Sequence, residues 1–199
     1  MGWLVAEIAV VAVVCFLIGS VNPAALVGRS LGHDLRTSGS GNPGATNAGR
    51  VLGPKWGVLV LVLDVAKAYL PTLLVLRTLG TVAALVAGLS VVLGHVFSPF
   101  LRGHGGKGAA CALGAVLAVE PWVGLGAVVA FALAKTVLPF VGEASVVTVG
   151  VIGLVGVFGL VGLAPFVGPV VGAWLVLLSV LVLSRHRRNI VAWRSRRVP

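Results

Sequence analysis

Residues 56–76 read WGVLVLVLDVAKAYLPTLLVL. The run has the length that crosses a hydrocarbon core, about 20 predominantly apolar residues. Its apolar positions are continuous, whereas a lipid-facing barrel strand alternates apolar with polar. Lipid offers the backbone no hydrogen bonds, so such a run is expected to cross as a helix. Similar runs fill the chain on both sides of it. A first helix is predicted from residue 3 to about 25, this one is the second, and a third spans 81–97. Residues 109–141 are too long for one crossing, and Glu120-Pro121 divides them, since proline suits a first helical turn and breaks an interior. That leaves a short fourth helix over 109–119, a fifth over 122–141, a sixth over 144–161 and a seventh over 166–183. The expected fold class is all-α, a polytopic membrane protein of about seven transmembrane helices forming a single membrane domain over residues 1–199.

Composition agrees. Of 199 residues 58% are hydrophobic and 10% charged, against about 25% charged in soluble domains. The formal charge of +10 sits in short loops and at the C-terminus rather than on an amphipathic face, so nucleic acid is not an expected partner. The positive-inside rule accounts for the same residues. With the N-terminus outside, the inner loops over 28–55 and 98–108 hold Arg29, Arg36, Arg50, Lys55, Arg102 and Lys107. Lys135 lies near the inner end of the fifth helix, and the tail over 184–199 adds Arg185, Arg187, Arg188, Arg194, Arg196 and Arg197. The outer loops hold Arg77 alone, which puts the C-terminus in the cytoplasm. The fourth helix is the weak point of this parity. Residues 109–119 reach only about 17 Å, so it either begins earlier, at Gly106, or is re-entrant. The first run lacks a basic leader and a small-residue cleavage site, so it is expected to be a retained helix. Cys15 and Cys111 lie in or beside apolar runs with no ligand partners near them in sequence, and neither a metal nor a cofactor is expected.

The polar residues gather in few places. Gly39-Ser40-Gly41-Asn42-Pro43-Gly44-Ala45-Thr46-Asn47, followed by Arg50, combines glycines with hydrogen-bonding side chains and a guanidinium. Backbone N–H groups of such a loop are expected to form an anion nest, with Arg50 as a fork for phosphate or carboxylate. The formal G-x-G-x-x-G in it carries no weight, because no strand precedes it and Pro43 sits inside it. Gly103-His104-Gly105-Gly106-Lys107-Gly108 leads into the fourth helix, where a helix N-terminus favours an anion. It is not a Walker A motif, since no Ser or Thr follows the lysine. His186 and Asn189, at the end of the seventh helix, share a face if that helix continues. Interfacial anchoring is the better account of the arginines around them. Asp64 and Lys67, i and i+3 inside the second helix, are either a functional intramembrane pair or a self-neutralising one. His95 is expected to be a satisfied interfacial histidine.

Several chemistries are missing. No Ser-His-Asp set is evident. The positions five after each histidine hold Ser38, Phe100, Ala109 and Val191, so the His-x4-Asp arrangement of the common soluble-donor glycerolipid acyltransferases is excluded. Glu7, Asp34, Asp64, Glu120 and Glu143 are scattered and offer no paired carboxylates. Chemistry here would run on positioning and on cations that stabilise anionic groups.

In order along the chain, Ser40-Gly41-Asn42-Pro43-Gly44-Ala45-Thr46-Asn47 with Arg50, Leu63-Asp64-Val65-Ala66-Lys67, Gly94-His95-Val96-Phe97 and Gly105-Gly106-Lys107-Gly108 resemble the bacterial acyl-phosphate:glycerol-3-phosphate acyltransferase family. The resemblance covers most of the chain to about Leu117 and resumes at Arg185-His186-x-x-Asn189-Ile190. It implies a seven-helix inner-membrane enzyme with its motifs on the cytoplasmic side. The implied reaction moves a fatty acyl group from acyl phosphate to the 1-hydroxyl of glycerol 3-phosphate, giving lysophosphatidic acid and phosphate. Carried over by position, Ser40, Asn42, Thr46, Arg50, Lys107, His186 and Asn189 belong to the site. Gly41, Gly44, Asn47, Gly105, Gly106, Gly108 and Lys67 are assigned with Asn42 to substrate phosphate. The soluble enzyme that makes acyl phosphate is an implied partner. The chain departs from the family after Ile190, where a Gly-x-Glu ending is usual and Val191-Ala192-Trp193-Arg194 stands instead. It departs again at Gly19-Ser20-Val21-Asn22-Pro23, where proline and an aromatic are more common. Rival expectations are a transporter of an anionic solute and a non-catalytic family member.

Overall fold

The computed structural model describes residues 2–196; Met1, Val198, Pro199 and Arg197 of the expected basic tail lie outside them. All the regular structure is helical: α1 (Gly2–Ser20), α2 (Pro23–Ser30), α3 (Ala45–Leu52), α4 (Pro54–Leu79), α5 (Thr81–Val96), α6 (Ala109–Val119), α7 (Pro121–Val137), α8 (Val141–Leu160), α9 (Pro169–Arg185) and α10 (Arg187–Ser195). Among the described residues, four spans are long and apolar enough to cross a membrane: Val5–Ser30, Pro54–Leu79, Thr81–Leu101 and Val141–Leu160. The α9–α10 pair, bent by 63°, is a fifth if counted as one span, and α6 and α7 are shorter apolar helices.

The helices differ from the expected ones where backbone chemistry overrides hydropathy. The first predicted helix breaks at Val21-Asn22. Pro23 opens α2, and the Asn22 side chain accepts the Ala25 N–H at 2.8 Å as its N-cap. The expected loop over 28–55 holds the end of α2 and all of α3. The fifth predicted helix stops at Val137 rather than 141, ahead of Pro139. The seventh ends in a bend at His186, so His186 and Asn189 do not share one continuous helix face.

The chain forms two compact units, residues 1–119 and 120–199. In the first, α1 packs along α5, and α6 along α4. These crossings are close because glycines stand at them. A Cβ on Gly19 would strike the Val91 carbonyl, one on Gly94 the Phe16 carbonyl, and one on Gly114 the Val65 carbonyl. Small residues at helix contacts are the usual device where lipid removes the hydrophobic drive between helices. On α4, Val60 and Ala68 are buried, while Val58, Val62, Leu70 and Leu74 are each more than half exposed. A helix apolar on both faces is one that meets lipid on its outer side. In the second unit, α8 packs on α9 through Gly156 and Gly172, and α10 touches α8 and α9.

Candidate functional site

The first polar loop is held by its own side chains. Asn47, 1% exposed, takes the Ser40 N–H on Oδ1 at 2.8 Å and donates Nδ2 to the carbonyls of Leu35 and Ser38, both at 2.9 Å. Asn22 donates Nδ2 to the Pro43 carbonyl at 3.0 Å, fixing the loop to the break after α1. Beneath it, Ala24, Leu35, Ala48 and Val60 form an apolar base. Ser40, Thr46 and Arg50 face outward and are exposed. Thr46 and Arg50 are i and i+4 on α3, so they share a helix face, away from the buried Asn47.

Several backbone donors of the two loops are paired within the chain. Besides the Ser40 N–H, that of Gly41 goes to Ser38 O at 3.1 Å and that of Gly44 to Asn42 O at 3.0 Å. In the second loop, the N–H of Gly105 goes to Val96 O and that of Gly106 to His95 O, each at 3.1 Å. These donors are committed within the chain. The glycines instead permit close approach: a Cβ on Gly105 would overlap the His95 carbonyl, and one on Gly106 the His95 ring. Gly108, at φ +88°, turns the chain into α6. Asn47 likewise holds the loop with every function of its amide, so it is no phosphate ligand here. The Gly41, Gly44, Gly105 and Gly106 N–H groups therefore hold each of the two loops together.

The two loops meet. A cleft of about 340 Å³ is lined by Asp34, Arg36, Thr37 and Gly41 from the first and Leu101, Arg102 and His104 from the second. Arg36 is paired with Asp34 at 2.8 Å, and its hydrogen bonds hold the Asp34 carboxyl down at about 2. Arg102 sits at φ +54°, the one positive-φ residue other than glycine among those described, and His104 Nδ1 donates to its carbonyl at 2.8 Å. Neither Arg102 nor His104 was singled out beyond its loop, since a cation before a glycine run reads as positive-inside charge.

Below the loops lies a buried polar group that sequence reasoning only half saw. Lys67 Nζ donates to Val21 O at 2.7 Å and to His95 Nδ1 at 2.9 Å, and lies 3.0 Å from Asp64 Oδ1. Asp64 is 2% exposed and His95 3%. All three hydrogens of the ammonium are thus committed, which removes Lys67 from the phosphate ligands. His95 is satisfied, as expected, and its partners are those of this buried cluster. Cys111 completes it, its Sγ 3.9 Å from Asp64 Oδ1, against the expectation of no neighbouring ligands. Donor atoms of Asp64, His95 and Cys111 lie within 4.8 Å of one another, a spacing that suits a metal, but Lys67 already supplies the cation there. The Lys67 side chain also ends an otherwise apolar cleft of about 410 Å³ lined by Ile18, Val21, Leu26 and Leu63.

In the second unit His186 is 3% exposed, and its Nδ1 donates to Val182 O at 2.8 Å. Asn189 lies against Gly142, where a Cβ would overlap its amide. Arg196 pairs with the buried Glu143 and covers the Phe140 ring at 4.3 Å.

The family model described as glycerol-3-phosphate acyltransferase matches residues 9–196. Among similar proteins are the glycerol-3-phosphate acyltransferases of Trichlorobacter lovleyi, 39% identical over 88% of each chain, and of Aquifex aeolicus, 36% identical over 88% of this chain and 89% of that one. A crystal structure of PlsY (YgiH), an integral membrane glycerol 3-phosphate acyltransferase, in its glycerol 3-phosphate form is similar at TM-score 0.87. It is 33% identical and covers 96% of this chain and 94% of its own. The lysophosphatidic acid form of PlsY gives a TM-score of 0.83 at 32% identity, over 96% of this chain and 93% of that one.

Proposed function

The chain belongs to the glycerol-3-phosphate acyltransferase family, and from that premise we propose that it moves a fatty acyl group from acyl phosphate to the 1-hydroxyl of glycerol 3-phosphate. The products are lysophosphatidic acid and inorganic phosphate, and the place of the reaction is phospholipid synthesis. The observation that carries this reading is the likeness over nearly the whole chain to a protein solved in both its glycerol 3-phosphate and its lysophosphatidic acid forms.

In the proposed reaction the glycerol hydroxyl oxygen attacks the acyl carbonyl carbon. The bond from that carbon to the phosphate oxygen breaks, and phosphate leaves with the electron pair. The hydroxyl proton passes to a phosphate oxygen of a substrate in this scheme, because the sequence offers no evident Ser-His-Asp set and no paired carboxylates. Arg50 and Lys107 hold phosphate groups and stabilise charge on the leaving one. Ser40 or Thr46 orients the donor, with Asn42 beside them. The apolar cleft along Ile18, Leu26 and Leu63 suits an acyl chain. His186 and Asn189 take part in the same reaction in this proposal. No covalent acyl-enzyme forms, and an acylated Ser40 after incubation with donor alone would overturn that step.

The proposed setting is a bacterial inner membrane, with seven crossings, the N-terminus outside, and the loops and C-terminus in the cytoplasm. A soluble enzyme that makes acyl phosphate is the proposed supplier of donor. Purified protein in lipid nanodiscs, given acyl phosphate and glycerol 3-phosphate, should release phosphate. Arg50→Ala and Lys107→Ala should each lower turnover on the order of a hundredfold, the usual effect of losing a charge-stabilising group. No turnover with any acyl phosphate would sink the reading and leave the transporter and non-catalytic alternatives.

A further inference from the structure

We propose that His95 is a positioning residue for the second glycine loop, and that Lys67 acts on the reaction only through it. An ammonium donates and never accepts, so the 2.9 Å contact from Lys67 Nζ makes His95 Nδ1 an acceptor. The ring is therefore neutral, with its proton on Nε2. The Nε2 edge is the one packed against the loop. A Cβ on Gly106 would overlap Nε2 and stand 2.8 Å from Cε1. The backbone of the same segment is tied to the same loop, because the His95 and Val96 carbonyls accept the Gly106 and Gly105 N–H groups at 3.1 Å. One residue thus sets both the register of the loop and the chemical face presented to it.

The groups that face His95 are Asp64 and Lys67 from α4 and the Gly105-Gly106 backbone, with Cys111 of α6 at Asp64 behind them. Asp64 and Lys67 cancel in charge. Without Lys67, the Asp64 carboxylate would remain 3.4 Å from Nδ1 with no cation beside it. The ring would then carry a proton on Nδ1, as the other tautomer or as imidazolium, in order to donate to that carboxylate. Either state changes the edge against Gly106 and loosens the loop that carries Lys107. The ligand affected is the anionic phosphate group of a substrate; this step rests on the proposed reading of that loop.

The test uses full-length protein in nanodiscs, with imidazole-15N NMR and steady-state kinetics on Lys67→Met, His95→Gln and the double variant. The wild type should show His95 protonated at Nε2 alone, its signal identified by loss in His95→Gln. In Lys67→Met the Nδ1 nitrogen should become protonated. The KM for a phosphate-bearing substrate should rise on the order of tenfold, the scale of a lost charge-assisted contact, with kcat changing less. The double variant should be no worse than His95→Gln alone, since residues acting through one another are not additive. If Lys67→Met does not fold, the charge-balanced pair Asp64→Asn/Lys67→Met serves, and the fixed Nε2–H state should be lost there too. A tautomer unchanged without Lys67, or penalties that simply add, would overturn the proposal. Lys107→Ala in the wild-type background separates the two readings: unchanged KM there removes the phosphate-binding role of the loop, while the tautomer result stands on its own.

Discussion

At the scale of single residues, Asn47 and Thr46 are neighbours with opposite uses. Composition draws them alike, as hydrogen-bonding side chains in a glycine-rich stretch. The structure turns Asn47 inward, where its amide satisfies one N–H and two carbonyls, and leaves Thr46 exposed. Asn47→Ala should therefore destabilise the protein by about 3 kcal/mol, because it strands buried polar groups that water does not reach. Thr46→Ala should stay within about 0.5 kcal/mol in stability while lowering turnover. Thermal unfolding in detergent, set beside phosphate release, checks both. The direction a loop side chain faces has no signature in a single sequence, which is why the whole first loop reads as ligand. Lys67 and His95 were hidden for a related reason. They lie 28 positions apart, and only the packing of α4 beside α5 makes them one group.

At the scale of elements, the type and approximate place of each long helix were legible, because an apolar run of membrane length has few other structures open to it. The breaks were harder. Val21-Asn22-Pro23 carries a capping residue and a first-turn proline, the signals of a helix start, inside a run that hydropathy reads as one piece. The small helix α3 was lost within a polar stretch for the opposite reason, since glycine and asparagine disfavour helix and only the buried face holding Asn47 and Ala48 anchors it. The join of α8 and α10 carries its own prediction. Asn189 rests against Gly142, which opens α8, and no space remains for a methyl group. Gly142→Ala should therefore displace the Asn189 amide and reduce turnover as far as Asn189→Ala does, within about threefold, if Asn189 serves the reaction. Full activity in Gly142→Ala alongside an inactive Asn189→Ala would show that α10 shifts freely.

At the scale of the whole molecule, the open matter is parity. The proposed orientation, with both loops and the tail on one side and the N-terminus on the other, needs an odd number of crossings before the C-terminus. The weak link is α6, whose 11 residues rise about 17 Å against a core of about 30 Å. The segment before it supplies reach. Residues 104–108 are not helical, and in extended form five residues add about 16 Å. Non-helical backbone at membrane depth is tolerated only where protein covers it and its polar groups are paired. Gly105, Gly106 and Gly108 are buried, and the N–H groups of the first two are paired with Val96 and His95. If the glycine loop ran extended in line with α6, the two together would have the length for one crossing. Reporters fused at the two termini should then read opposite sides of the membrane, the C-terminal one cytoplasmic. A single cysteine placed at position 103 in a background free of Cys15 and Cys111 should react with impermeant reagent only from the cytoplasmic side, and one placed at 120 only from the outer side. Labelling of both positions from the same side would make α6 re-entrant and leave the charge asymmetry of the chain without its explanation.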